Sequence, residues 1–221
     1  MTPKRWWLAG LAMVAAALYA AAWIGWSSPW SWLVAADDAA LAATHRFGLA
    51  HPGWVTSWNV LCTVFSPVSF RLVVLGLIVW ALMRRQLRLA LFLVFSVEVT
   101  GALTELAKYA ADRPRPVTAL VSASSTSFPS GHALGTMAAV LALLVVGLPL
   151  VSSAWRWPLI GAGALVVVAV GVGRVVLNVH HPSDVVAGWA LGYVWFVLCL
   201  WLLPPRLTPA DETPAVRDSS P

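Results

Sequence analysis

Six apolar runs, at residues 6–26, 68–83, 87–107, 133–151, 158–173 and 185–203, constrain the fold of this chain more than any other feature of its sequence. Each comes near the roughly 20 residues that a helix needs to cross the hydrocarbon of a bilayer. Charged residues fill only 10% of the 221 positions, against roughly 25% in ordinary soluble domains, and the mean hydropathy is +0.80. The expectation is an all-α, polytopic membrane protein: a six-transmembrane-helix bundle forming one domain over residues 1–203, with a short helix on the outer surface. The polar, proline-rich stretch 204–221 is expected to be a disordered cytoplasmic tail.

Local signals refine this layout. The first run follows Lys4 and Arg5, but it is longer than a signal-peptide core and no small-residue cleavage site follows it, so it reads as a retained helix. Residues 27–53 carry Trp30, Trp32, Asp37, Asp38 and an alanine-rich stretch, and supply the outer surface helix. The second span is expected to begin as a helical turn before Ser66-Pro67, with a kink there. Cys62 and Cys199 fall near opposite faces, too far apart for a disulfide.

Cytoplasmic connections retain Lys and Arg. With both termini inside, the inner segments hold Lys4, Arg5, Arg84, Arg85, Arg88, Arg156, Arg206 and Arg217, whereas the outer segments hold Arg46, Lys108, Arg113, Arg115 and Arg174. The net charge of +5 therefore needs no nucleic-acid partner. The outer cations need a separate explanation, because all five histidines, His45, His51, His132, His180 and His181, fall on the same face.

Three segments bring these groups together. KYAADRPRP, Lys108 to Pro116, reads equally well as a snorkelling lysine before a stiffened basic loop and as an anion clamp, in which arginine supplies bidentate bonds to phosphate and lysine a point charge. SFPSGH, Ser127 to His132, is a helix start; Ser130 and Gly131 either only cap and turn the chain or offer the free N–H groups that seat a phosphate, with His132 placed to move a proton. RVVLNVHHPSD, Arg174 to Asp184, is either a His-Pro turn with an N-terminal aspartate or a histidine whose one nitrogen is held by Asp184 while the other is free to attack. Zinc is the rival ligand for histidine and aspartate, but Lys108, Arg115 and Arg174 would repel it.

Together the three segments resemble the type 2 phosphatidic acid phosphatase family, membrane enzymes whose motifs run K-x6-RP, PSGH and SR-x5-H-x3-D. The first corresponds to Lys108 through Arg115-Pro116, the second to Pro129-Ser130-Gly131-His132, and the third to Arg174, His180 and Asp184, with order and spacing preserved. The third motif departs in one place: Gly173 stands where the family has serine.

The resemblance implies a metal-independent lipid phosphatase with no cofactor. Lys108, Arg115 and Arg174, with the amides near Ser130 and Gly131, hold the phosphate; His180, oriented by Asp184, becomes a phosphohistidine; His132 serves the leaving oxygen and then water. The family acts on phosphatidic acid, phosphatidylglycerol phosphate and polyprenyl diphosphates, and a compact six-span chain resembles its bacterial members, pointing to undecaprenyl diphosphate. The partners implied are a lipid phosphate and membrane lipid, and the site faces the extracytoplasmic side of the cell membrane. Two other classes share some of these features. A lipid transporter would place its polar site near mid-bilayer, and an inactive lipid-binding protein has Gly173 as its support. Nothing in the sequence specifies an oligomeric state.

Two further residues lie inside an apolar run, where ionisable groups are functional candidates by default. Glu105 is expected to orient Lys108, and Glu98 to pair with Arg71.

Overall fold

The fold was analysed in a computed structural model that describes residues 3–205. The tail expected to be disordered lies, from residue 206 on, outside the described residues, as do Arg206 and Arg217. The described residues form helices and connecting turns, with no strand.

The elements in chain order are α1 (Pro3–Ser27), α2 (Ser31–Ala50), α3 (Pro52–Val64), α4 (Pro67–Met83), α5 (Leu87–Leu93), α6 (Thr100–Ala111), α7 (Gly131–Gly147), α8 (Ser153–Val176) and α9 (Pro182–Leu202). A π-helical turn, Val94–Glu98, joins α5 to α6, and a 3₁₀ turn, Leu148–Leu150, extends α7. Six stretches are long and apolar enough to span a bilayer: Trp6–Ser27, Pro52–Met83, Leu87–Ala111, Gly131–Leu150, Ser153–Val176 and Pro182–Leu202. Their outward faces carry exposed Leu11, Val14, Leu18, Leu72, Val73, Leu75, Val79, Leu165 and Val168, a continuous apolar exterior that water would not tolerate and lipid does. The protein is a multi-pass, all-helical membrane protein.

The third to sixth spans run two to four residues beyond their apolar runs at the end that carries the candidate functional groups, because the helices continue into polar sequence there. The second span differs most. Its helical segment begins at Pro52, not with a single turn before Ser66. Pro67 cannot donate a backbone hydrogen bond, so the path breaks there and restarts with Ser66 as N-cap, its hydroxyl accepting from Ser69 N at 3.2 Å. Helix α2, expected as a short surface helix, runs for 20 residues, and one buried side chain on it is Asp37.

Close approach of α7 and α9 sets the geometry of the end of the bundle where both helices begin. A methyl group added at Gly188 would lie 2.5 Å from the Ser130 carbonyl oxygen and 2.9 Å from Ala133 Cβ, and one at Gly192 would lie 2.6 Å from the Leu134 carbonyl oxygen. Small residues let helix backbones touch where lipid supplies no hydrophobic drive. The contact holds the start of α7 against the start of α9, where Ser130 N donates to the Asp184 carbonyl at 2.9 Å.

Hydroxyl groups within the third span are satisfied locally. Ser96, Thr100 and Thr104 return their hydroxyls to the carbonyls of Phe92, Val97 and Thr100 at 2.6, 2.5 and 2.7 Å. Arg71 donates to Thr100 Oγ1 at 3.4 Å, and among the described residues it forms no ion pair with Glu98, whose Oε1 is buried without a partner. The π turn that carries Glu98 sets it off the regular helical register. Glu105 likewise makes no ion pair with Lys108; it faces outward while the lysine turns inward.

Candidate active site

The last turn of α6 delivers Lys108, 5% exposed, to the end of the bundle where α7 and α9 begin. Asp112 then ends the helix in the left-handed conformation, φ 44°, donating its N–H to the Lys108 carbonyl at 2.9 Å. The following loop folds back over the helix ends. Lys108 Nζ donates to Ser125 Oγ at 2.9 Å and to the Thr126 carbonyl at 2.5 Å. Arg115 donates from Nε to the Ser125 carbonyl at 2.9 Å, from Nη2 to the Ser124 carbonyl at 2.8 Å, and from Nη1 to the Val179 carbonyl at 2.6 Å.

Arg174, in the last turn of α8, is the third cation. It is 7% exposed, makes no ion pair among the described residues, and its Nε is buried without a hydrogen-bond partner. Ser130, at the N-cap of α7, caps nothing with its side chain, and its Oγ is also buried and unpartnered. Gly131 opens α7 directly against Thr104 of α6, and His132 follows as the second helical residue. Buried guanidinium and hydroxyl groups without partners are costly. Beside the free N–H groups of a helix start, they form a seat for an anion.

His180, 2% exposed, sits in the turn between α8 and α9. Its Nε2 lies 3.2 Å from Arg115 Nη1, so that nitrogen faces the cations. Burial, reinforced by Arg174 and Arg115 and opposed by Asp184, lowers its pKa from 6.5 to about 4. At neutral pH the imidazole is therefore uncharged, with a lone pair on one ring nitrogen. Burial also lowers the pKa of Arg115, with a further push from the Arg174 charge, but a guanidinium stays charged.

The expected hold of Asp184 on His180 is indirect. Asp184 Oδ2 lies 3.6 Å from His180 Nδ1, beyond hydrogen-bond range. Ser127 Oγ fills the gap, donating to Asp184 Oδ2 at 2.5 Å and standing 3.5 Å from His180 Nδ1. The same carboxylate oxygen accepts from His181 N at 2.8 Å and stands 3.1 Å from His181 Nδ1, which closes a capping box on α9.

A buried network behind Asp184 was not apparent from the sequence. Arg113 Nη1 donates to Asp184 Oδ1 and to Ser183 Oγ, both at 2.7 Å, and Nη2 pairs with Asp37 Oδ2 at 2.9 Å. Asp37 also accepts from Ser183 N at 3.0 Å and from Ser183 Oγ at 2.5 Å. Arg113 stacks over the Trp26 ring, 4.8 Å from its centroid. Thus the two arginines of Arg113-Pro114-Arg115 divide their work: one faces the carboxylates, the other the histidine. A polar residue expected on the surface helix, Asp37, and the first arginine of a motif that names only the second were the available signals.

All eight residues predicted from the sequence, Lys108, Arg115, Ser130, Gly131, His132, Arg174, His180 and Asp184, lie at the ends of α6 to α9 or in the connections between them.

Comparisons with known proteins bear on this arrangement. The model of the PAP2 superfamily matches residues 89–207, more than half of the chain. The chain is 36% identical over 116 residues to an undecaprenyl-diphosphatase of Sulfolobus acidocaldarius, a match covering 49% of this chain and 52% of that protein. It is 38% identical over 114 residues to phosphatidylglycerophosphatase B of Bacillus subtilis, covering 50% and 55%. A decaprenylphosphoryl-5-phosphoribose phosphatase of Mycobacterium tuberculosis is 37% identical over 82 residues, covering 37% and 40%. The matched stretch thus spans about half the length of the first two relatives. Among solved structures, a transmembrane PAP2 type phosphatidylglycerolphosphate phosphatase from Bacillus subtilis has the same fold, with a TM-score of 0.68 at 24% identity over 88% of this chain and 94% of that one.

Proposed function

The chain belongs to the PAP2 superfamily, and from that premise we propose that it is a lipid phosphate or diphosphate phosphatase working at the extracytoplasmic face of the cell membrane. The observation that carries this reading is the meeting of three cations and two unpartnered buried groups, Arg174 Nε and Ser130 Oγ, around an uncharged histidine. Fixed positive charge and aimed donors stabilise the equatorial oxygens of a phosphoryl group as its bonds change.

Lys108 and Arg115 hold loop carbonyls and the Ser125 hydroxyl, contacts that phosphate oxygens replace when the substrate enters. Arg174 and Ser130 meet the remaining oxygens, with the α7 amides at Gly131 and His132. His180 Nε2 donates its lone pair to phosphorus while the bond to the lipid oxygen breaks. His132 gives that oxygen its proton, then takes one from the water that cleaves the phosphorus–nitrogen bond and releases phosphate. Asp184, paired with Arg113 and linked through Ser127, keeps the proton of His180 on Nδ1 so that Nε2 faces the cations.

The excess of arginine and lysine in the segments assigned to the inner side supports cytoplasmic termini and an outward site. The substrate class is a lipid of the outer leaflet, with undecaprenyl diphosphate first and phosphatidylglycerol phosphate or phosphatidic acid as alternatives. The relatives named for undecaprenyl diphosphate and for phosphatidylglycerophosphate support the first two of these three lipids. The test is phosphate release from these three lipids by detergent-purified protein in excess EDTA, beside His180→Ala. Release that requires His180 and no free metal is expected. Equal release by the variant overturns the mechanism, and no release by the unmodified protein overturns the activity.

A further inference from the structure

Three successive residues of the turn that carries His180 are fastened to the loop that carries Arg115. Leu120 N donates to the Leu177 carbonyl at 3.0 Å, the Thr118 hydroxyl meets the Asn178 amide at 2.8 Å, and Arg115 Nη1 donates to the Val179 carbonyl at 2.6 Å. Asn178 holds the middle of this seam. It is fully buried and takes the left-handed conformation, φ 54°, that turns the chain from α8 toward His180. Asparagine enters that region more readily than most residues with a Cβ.

The Asn178 side chain also reaches α2. Across from Thr118 its amide bonds Thr44 Oγ1 at 2.7 Å, a bridge that either orientation of the amide makes. Next to Thr44, His45 Nδ1 donates to the Thr118 carbonyl at 3.0 Å, so α2 grips the loop as well as the turn. Thr44 and His45 lie outside the family-matched stretch 89–207, and Asn178 lies between Arg174 and His180, where the motif names no residue.

We propose that Asn178 is a positioning residue for His180: by bridging Thr44 and Thr118 it fixes the turn so that the imidazole keeps Nδ1 toward Ser127 and Nε2 toward Arg115. The inference rests on the phosphatase reading. The ring's own contacts, 3.5 Å to Ser127 Oγ and 3.2 Å to Arg115 Nη1, are long. They hold the imidazole weakly, so its aim depends on the backbone that presents it. A buried amide that lost either threonine would leave polar atoms unpaired, and the three positions therefore act as one unit.

Variants of the full chain in detergent test this: Asn178→Gly, Thr44→Val, Thr118→Val and Thr118→Ser. Glycine permits the same left-handed turn without the bridge, so Asn178→Gly separates the side chain from the backbone. For each variant kcat and KM on a lipid phosphate are measured below its unfolding midpoint. NMR of the histidine ring nitrogens reports the tautomer of His180, whose signals are those lost in His180→Ala. Asn178→Gly is expected to lower kcat by about tenfold with KM within about twofold, because Arg115 keeps its other loop contacts. Thr44→Val and Thr118→Val follow it, whereas Thr118→Ser, which keeps the hydroxyl, stays within about twofold of the unmodified protein. At neutral pH the His180 ring is expected to change from a single tautomer, with its proton on Nδ1, to a mixture of both in Asn178→Gly. A lowered unfolding midpoint with kcat and the tautomer unchanged reduces Asn178 to framework and overturns the inference, as do equal losses in Thr118→Val and Thr118→Ser. If Asn178→Gly does not fold, the threonine variants, which leave the turn residue in place, decide by the same two readouts. If the unmodified protein releases no phosphate from lipid, the phosphatase reading fails and the ring signals alone decide the role of Asn178.

Discussion

Arg113 Nη1 lies 2.7 Å from Asp184 Oδ1 while its Nη2 lies 2.9 Å from Asp37 Oδ2, so one buried guanidinium joins helix α2 to the carboxylate behind the candidate nucleophile. The three side chains are at most 6% exposed. Such a pair of ion pairs is sensitive to the loss of a single member, because the remaining charges stay buried without compensation.

Replacing Arg113 by alanine is therefore expected to destabilise the protein by about 3–5 kcal/mol and to reduce turnover strongly. Asp37→Asn should do less, since the amide keeps an acceptor toward Arg113 and Ser183. Thermal unfolding and phosphate release measured on the same samples check both. An Arg113 variant with unchanged stability and turnover would show the network to be incidental.

Ser127 bridges Asp184 and His180, its hydroxyl committed to the carboxylate. Ser127→Ala is expected to lower kcat by about tenfold, the worth of one buried hydrogen bond to a charged group, with little change in KM. A rise in KM with kcat preserved would place the hydroxyl on the substrate instead.

The neighbouring histidines should behave unlike one another. His180→Ala is expected to abolish turnover in a protein that still folds, and His132→Ala to slow it severely. His181 shapes the start of α9 through its contacts with Asp184. His181→Ala should remove about 1 kcal/mol of stability, as loss of an N-cap side chain does, and leave most of the activity. The three variants, compared by phosphate release and by trapping of acid-labile phosphoprotein, separate nucleophile, acid and cap.

The depressed pKa of His180 has a defined pH signature. Its value falls from 6.5 to about 4 because burial opposes the charged ring. The unfolded chain takes up this proton below its ordinary pKa while the folded chain does not. The stability that His180 contributes is accordingly complete above pH 6.5 and lost as the pH falls toward about 4. Unfolding midpoints measured between these limits should decline less steeply in His180→Ala than in the unmodified protein. The acid limb of phosphate release should also fall nearer pH 4 than pH 6.5; a half-maximal rate at pH 6.5 would mean that His180 titrates as an exposed histidine.

The membrane-spanning helices and the residues spaced along them were legible in the sequence because both signals are local. Hydropathy accumulates along one run, and Lys108 to Arg115 or Arg174 to Asp184 are short intervals on one stretch of chain. Pairing across the bundle leaves no such trace. Asp37 and Ser183 meet across 146 positions, and Cys62 meets Gly173 only because α3 packs against α8. For the same reason spacing suggested Glu98 with Arg71 and Glu105 with Lys108, whereas the π turn and the rotation of α6 keep both pairs apart. What the sequence determined by itself was a six-helix membrane bundle and the residues it brings to one face. The tertiary structure decided which arginine serves Asp184, which side chain fills the place left by Gly173 and which hydroxyl joins the carboxylate to His180, because these depend on how helices distant in sequence approach and turn toward one another.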